Sequence, residues 1–161
     1  MRRLLLGSTL AVAFVTLAFA DDKGKAVTVK VPPLPPSTEE LLVADLPSAA
    51  WVSAEKMGYP KGAEAALIGQ DPGSTAPTVY VRTTAGYKLP SHWHVHTEYS
   101  TMIAGKGTFT VDGKPHLVTA GSYVVVPSRV KHEFSCDTGV PCVLVVRRSG
   151  PADINFVKPA K

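Results

Sequence analysis

The stretch Gly86-Tyr87-Lys88-Leu89-Pro90-Ser91-His92-Trp93-His94-Val95-His96-Thr97-Glu98 holds three of the chain's five histidines. In an extended strand side chains alternate between faces, so His92 and His94 share one face and Trp93 takes the other. Glu98 lies four residues beyond His94 and returns to the same side when a brief turn separates them. His132 follows in a second short stretch. Three neutral imidazoles and one carboxylate suit a borderline divalent cation such as Fe, Mn, Ni, Cu or Zn, and an octahedral metal held this way keeps two positions open for water or substrate.

Outward from that stretch, short apolar or alternating runs are separated by turn signals every eight to twelve residues or so, the spacing of a sandwich or barrel. Strands are expected at 63–68, 78–84, 98–104, 108–111, 116–119, 122–126, 131–135 and 143–147, with a last piece near 154–157. Asp112-Gly113 predicts a tight turn. Fourteen prolines and thirteen glycines along the 161 residues favour many short elements over a few long helices. The expected fold class is all-β.

Two ordered patterns resemble the cupin family. Gly86, His92, His94, Glu98 and Gly105 fulfil its first motif, G-x5-H-x-H-x3-E-x6-G, without a gap. Gly121, Pro127 and His132 meet the second, G-x5-P-x-G-x2-H-x3-N, but Arg129 stands for its glycine and Cys136 for its asparagine. The resemblance spans about residues 60 to 148. It implies a double-stranded β-helix, or jelly-roll barrel, with a metal inside held by His92, His94, Glu98 and His132. Isolated histidines in strands are usually hydrogen-bonded core or surface residues, but two motifs at the right distance are hard to assemble by chance. Arg129 adopts positive φ less easily than glycine, so the turn before His132 is expected to be of another type, or its guanidinium to stand at the barrel mouth.

With Glu98 inward, Ser100 and Met102 should line the same cavity. Phe134 shares parity with His132, and Tyr80 or Arg82 are further candidates. An inward Arg82 would imply a carboxylate substrate; an outward one is a solvated charge, the better-supported case. His96 sits where the family has a turn, which suits a supporting or solvent-exposed role better than ligation, and His116 reads as surface. Trp93 is expected to cover the outside of the barrel, and Trp51 to anchor the N-terminal segment onto it.

Residues 1–20, with Arg2-Arg3, an apolar run and Ala18-Phe19-Ala20, read as a secretory signal peptide, which predicts a periplasmic or secreted protein without a stable membrane anchor after cleavage. Residues 21–48 read as a proline-rich extended arm: Pro32 to Pro36 cannot be helical, Ser37-Thr38-Glu39-Glu40 resembles a helix start, and Val27, Val29 and Val31 alternate as an edge strand would. Residues 49–161 are the barrel domain. The arm also suggests a homodimer that exchanges or pairs strands. Cys136 and Cys142 flank a turn-like segment; an oxidising compartment permits a disulfide, and two reduced thiols are the alternative.

Formal net charge is +4, and loss of Arg2 and Arg3 leaves +2. Scattered lysines without a basic stripe exclude a nucleic-acid surface. Three functions stay open for a metal-binding barrel with a small-molecule ligand: a dioxygenase-like oxidoreductase, a metal-dependent isomerase, and a binding or sensing module without turnover. An isomerase needs a tuned base near the metal, for which only His96, Tyr99 and Tyr123 present themselves; no catalytic residue is assigned. A sugar-nucleotide epimerase lacks its His-Asp pair and basic site, and a seed-storage role usually takes two such domains.

Overall fold

The computed structural model describes residues 15–20, 26–31, 43–71, 73 and 75–158. The chain divides into two compact units, residues 1–41 and 42–161. In the first, strands β1 (Val15–Ala20) and β2 (Ala26–Val31) form an antiparallel two-stranded sheet, from Val15 opposite Val31 to Ala20 opposite Ala26. The alternating valines do form a strand, and its partner is a segment read above as part of the signal peptide. The Pro32–Pro36 arm and the helix start at Ser37 lie outside the described residues. Among the described residues no helix is long and apolar enough to cross a membrane.

The second unit is nearly all β. Its strands are β3 (Val52–Ser53), β4 (Ala63–Gln70), β5 (Pro77–Thr83), β6 (Lys88–Trp93), β7 (Glu98–Ala104) and β8 (Lys106–Val111), then β9 (Lys114–Thr119), β10 (Tyr123–Val126), β11 (His132–Cys136), β12 (Cys142–Arg148) and β13 (Asn155–Phe156). They form a six-stranded sheet of order β10-β7-β12-β5-β4-β3 and a five-stranded sheet of order β13-β6-β11-β8-β9. The strand pairings among the described residues are antiparallel, for example β12 with β5 and β7, and β11 with β6 and β8. Two facing antiparallel sheets of this order form a jelly-roll barrel. The expected strands fall within two residues or so of these bounds; β6 itself and the two-residue β3 complete the set.

Alternation along each strand builds the core. Inward residues include Met102 on β7, Phe109 on β8, Val118 on β9, Phe134 on β11, and Leu144 and Val146 on β12, all buried. Asp112 and Gly113 take φ of 49° and 73°, the paired positive values that a two-residue hairpin between β8 and β9 requires. Gly105 has φ +88°, and a Cβ there would stand 2.5 Å from the Pro141 carbonyl oxygen and 2.9 Å from Cys142 Cα, so the glycine that ends the first motif is demanded by close backbone approach.

Arg129 corrects the sequence reading of its turn: it adopts φ 64°, as a glycine would. The strain is opposed by its backbone N–H, which donates to the His94 carbonyl at 2.8 Å. Its side chain is exposed and does not border the interior cavity. Cys136 and Cys142 form a disulfide with Cα atoms 5.9 Å apart, tying the end of β11 in one sheet to the start of β12 in the other. Trp51 sits on the outer face of β5, 6.3 Å from the Tyr80 ring, and so fastens the segment before β3 to the barrel.

Candidate metal centre

The site is assembled from two cross-strand pairs and a link. On the five-stranded sheet His92 of β6 lies directly opposite His132 of β11, with ring centroids 4.1 Å apart. On the six-stranded sheet Glu98 of β7 lies directly opposite Arg148 of β12. Directly opposed residues of antiparallel strands share a face, so each sheet contributes one adjacent pair to the interior. His94 stands in the short irregular segment between β6 and β7. That segment is braced by Asp153, whose Oδ2 accepts from the Val95 N–H at 3.0 Å, and by the Ser128 hydroxyl donating to the Val95 carbonyl at 2.6 Å. A bend therefore replaces the regular strand expected through His94, yet it keeps His94 buried beside His92, with ring centroids 5.0 Å apart.

The imidazole protons follow from the partners. Nδ1 of His92 lies 2.8 Å from the Pro90 carbonyl, Nδ1 of His94 lies 2.6 Å from the Asp153 carbonyl, and Nδ1 of His132 lies 3.0 Å from the Val130 carbonyl. A carbonyl only accepts, so each Nδ1 carries the hydrogen and each Nε2 presents a lone pair. Ligand atoms of the three histidines lie within 4.8 Å of one another, and His132 Nε2 is buried without a hydrogen-bond partner. Burial, followed by the neighbouring His132, lowers the His92 pKa to about 4, and burial likewise lowers that of His132. Three converging imidazoles with Nε2 facing inward, that of His132 unpartnered and that of His94 3.1 Å from Arg148 Nη2, fit a borderline divalent cation.

Glu98 is buried, and its Oε2 lies 3.1 Å from His94 Nε2 and 2.9 Å from Arg148 Nη2, while Oε1 accepts from the Ser100 hydroxyl at 2.8 Å. Burial alone pushes this carboxyl up, but the Arg148 charge 2.9 Å away outweighs it and holds the group below the ordinary carboxylate range. The carboxylate is thus ionised beside the triad and shared with an arginine.

A cavity of about 220 Å³ opens from His92, His132 and Glu98. Of the expected lining residues, Ser100 and Phe134 border it. The others do not, each for a distinct reason. Met102 is inward and buried, but it lies further along β7 and packs in the hydrophobic core. Arg82 points outward with Tyr80, because on β5 the odd residues Val79, Val81 and Thr83 face the cavity; Arg82 instead pairs with Glu64 at 2.6 Å over the Trp51 ring. His96 packs against Gly150, where a Cβ would come within 2.5 Å of its ring. Tyr123 is exposed and Tyr99 has the parity opposite to Glu98, so neither serves as a proton-moving group at the triad.

Five polar residues of the cavity escape the sequence reading: Tyr59, Thr83, Tyr87, Arg148 and Asp153. Arg148 lies outside both motifs in the chain, and Tyr59 follows the short 3-10 helix Ala54–Met57, in a segment with no pattern to flag it. Parity does find Arg148: it is the sixth residue after the buried Cys142, on the same face of β12.

A jelly-roll barrel with a histidine triad opening on an interior cavity defines the class. Residues 79–147, fewer than half of the chain, match the family described as Cupin domain. An RmlC-like cupin from Shewanella frigidimarina is 20% identical, with TM-score 0.56 over 67% of this chain and 89% of that one. The polyketide cyclase RemF from Streptomyces resistomycificus is 15% identical, with TM-score 0.62 over 76% and 89%. A putative acetylacetone dioxygenase from Methylibium petroleiphilum is 18% identical, with TM-score 0.59 over 78% and 87%. At these identities the likeness is one of fold. A comparison with curated proteins finds no match.

Proposed function

We propose that the protein is an exported, metal-dependent cupin oxidoreductase of the dioxygenase-like kind, acting on a small organic substrate. The observation that carries this reading is the convergence of three Nε2 lone pairs, with an ionised Glu98 beside them, on a mostly apolar enclosed cavity. His92, His94, His132 and Glu98 would hold the ion, which when bound supplies adjacent open positions for substrate and dioxygen. The chain's own contributions are orientation and exclusion of water. Val79, Val81, Leu144 and Val146 lower the local dielectric, and the carbonyls of Pro90, Asp153 and Val130 hold the rings in place through Nδ1. Export is supported by the leader-like residues 1–20 and by the disulfide, which an oxidising compartment preserves.

A second reading, a module that binds without turnover, is favoured by one feature: Arg148 already occupies the carboxylate of Glu98. Oxygen consumption separates the two. Protein loaded anaerobically with Fe(II) and given small phenols or β-diketones is expected to take up dioxygen above the His94→Ala background. Zinc bound in purified native protein, with no uptake by the iron form, would select the binding reading.

A further inference from the structure

Arg148 Nη2 lies 2.9 Å from Glu98 Oε2 and 3.1 Å from His94 Nε2, and those two atoms are themselves 3.1 Å apart. His94 gives its hydrogen to the Asp153 carbonyl through Nδ1, so both facing atoms are electron-rich. Two such atoms tolerate that separation in a buried place only with a positive charge against both, and here the guanidinium supplies it. A divalent cation held by the triad and Glu98 claims the same two atoms. Arg148 and the cation therefore compete for Glu98 Oε2 and repel one another.

Building on the metal reading above, we propose that Arg148 exchanges Glu98 for the ligand when the triad is loaded, and that the ligand is a small monocarboxylate with an apolar body. Three observations lead there. The first is that Arg148 Nε is buried without an acceptor, and its contact with the Tyr59 hydroxyl is long, at 3.4 Å. Release from Glu98 leaves Nε and Nη2 as adjacent donors, the edge that a carboxylate accepts with both oxygens. Charge is the second. A doubly charged cation and Arg148 face two carboxylates on the cavity wall, Glu98 and Asp153, leaving one positive charge that a monoanion neutralises. The metal-free cavity, with one cation against two carboxylates, has no such demand. The third is size and polarity: the volume of about 220 Å³ lies below the range of drug-sized pockets, and most of its wall is apolar. The buried hydroxyls of Thr83 and Tyr87 border the same cavity without partners and give a ligand's remaining oxygen somewhere to bond.

Calorimetric titration of the full chain with benzoate and with its neutral isostere benzamide, with and without zinc, tests this. Zinc-loaded wild type is expected to bind benzoate about tenfold or more tightly than benzamide, and metal-free protein to show no preference. Arg148→Gln should weaken benzoate by about tenfold or more, leave benzamide unchanged, and bind zinc as tightly as wild type or more tightly, since a like charge has gone. Arg148→Lys, which keeps the charge but not the fork, should hold zinc and weaken benzoate to a lesser degree; it serves as the second variant if the glutamine form does not fold. Benzoate binding within about twofold of wild type in both variants, or no preference in the zinc-loaded wild type, overturns the inference alone. Zinc affinity that falls in Arg148→Gln overturns the competition for Glu98. A wild type that holds no zinc, cobalt or iron overturns the metal reading and this inference with it.

Discussion

The six-stranded sheet carries two cross-strand Glu–Arg pairs built alike and placed oppositely. Glu64 of β4 lies opposite Arg82 of β5, and Glu98 of β7 lies opposite Arg148 of β12. The contacts are similar, 2.6 Å and 2.9 Å, but the side chains are 43% and 43% exposed in the outer pair against 8% and 7% in the inner one. Water screens the outer charges, and Arg82 has the Trp51 face 4.3 Å away as a second rest. The inner charges have given up their water and rest on each other, His94, Ser100 and Tyr59. The same residue types in the same register are therefore a surface ornament on one face and the tuned part of a site on the other.

Removing each arginine is the sharpest way to test that contrast. In metal-free protein Arg148→Met leaves Glu98 buried and unpaired and is expected to cost about 3–5 kcal/mol in urea unfolding, with zinc restoring much of the loss. A cost near that of a surface substitution would mean that Glu98 finds water, and the inner pair is no different from the outer one.

Acid should act on the inner group next. His92 has a pKa near 4 in the fold against an ordinary 6.5, so between these values the unfolded chain binds the extra proton. Glu98, held below its ordinary 4.5, behaves the same way at lower pH. Both shifts are depressions, so their stabilisation is complete above pH 6.5 and is lost as pH falls, first toward 4 as His92 takes up its proton and then further as Glu98 does. The His92 shift contributes on the order of 3 kcal/mol to the metal-free protein. A urea midpoint that stays flat from 6.5 to 4 would contradict the burial of His92 as a neutral ring.

The smallest effect is expected outside. Arg82→Met should move the midpoint by about a fifth or less of the Arg148→Met change, and the difference should vanish in high salt. An effect that equals the inner one, or survives salt, would show that the Trp51 stack holds the N-terminal segment through Arg82.

Much of this molecule was legible before any coordinates. The resemblance carried by the spacing of Gly86, His92, His94, Glu98 and Gly105 implies the barrel and the ligand set, while a period of two places His92 inward and a bend brings His94 beside it. Asp112-Gly113 announced its hairpin because few residue pairs accept two successive positive φ values. Arg129 misled the reading, since a hydrogen bond from its backbone to His94 holds it where a glycine was expected.

What the sequence determined is the alternation on each strand and hence the presence of an inward His92, Glu98 and His132. What only the tertiary structure decided is which of two arginines shares their interior. Parity is local, but the choice of inner face on β5 and β12 depends on how the two sheets close over one another. Arg148 reaches Glu98 through a pairing of strands fifty residues apart in the chain, a contact no local pattern encodes.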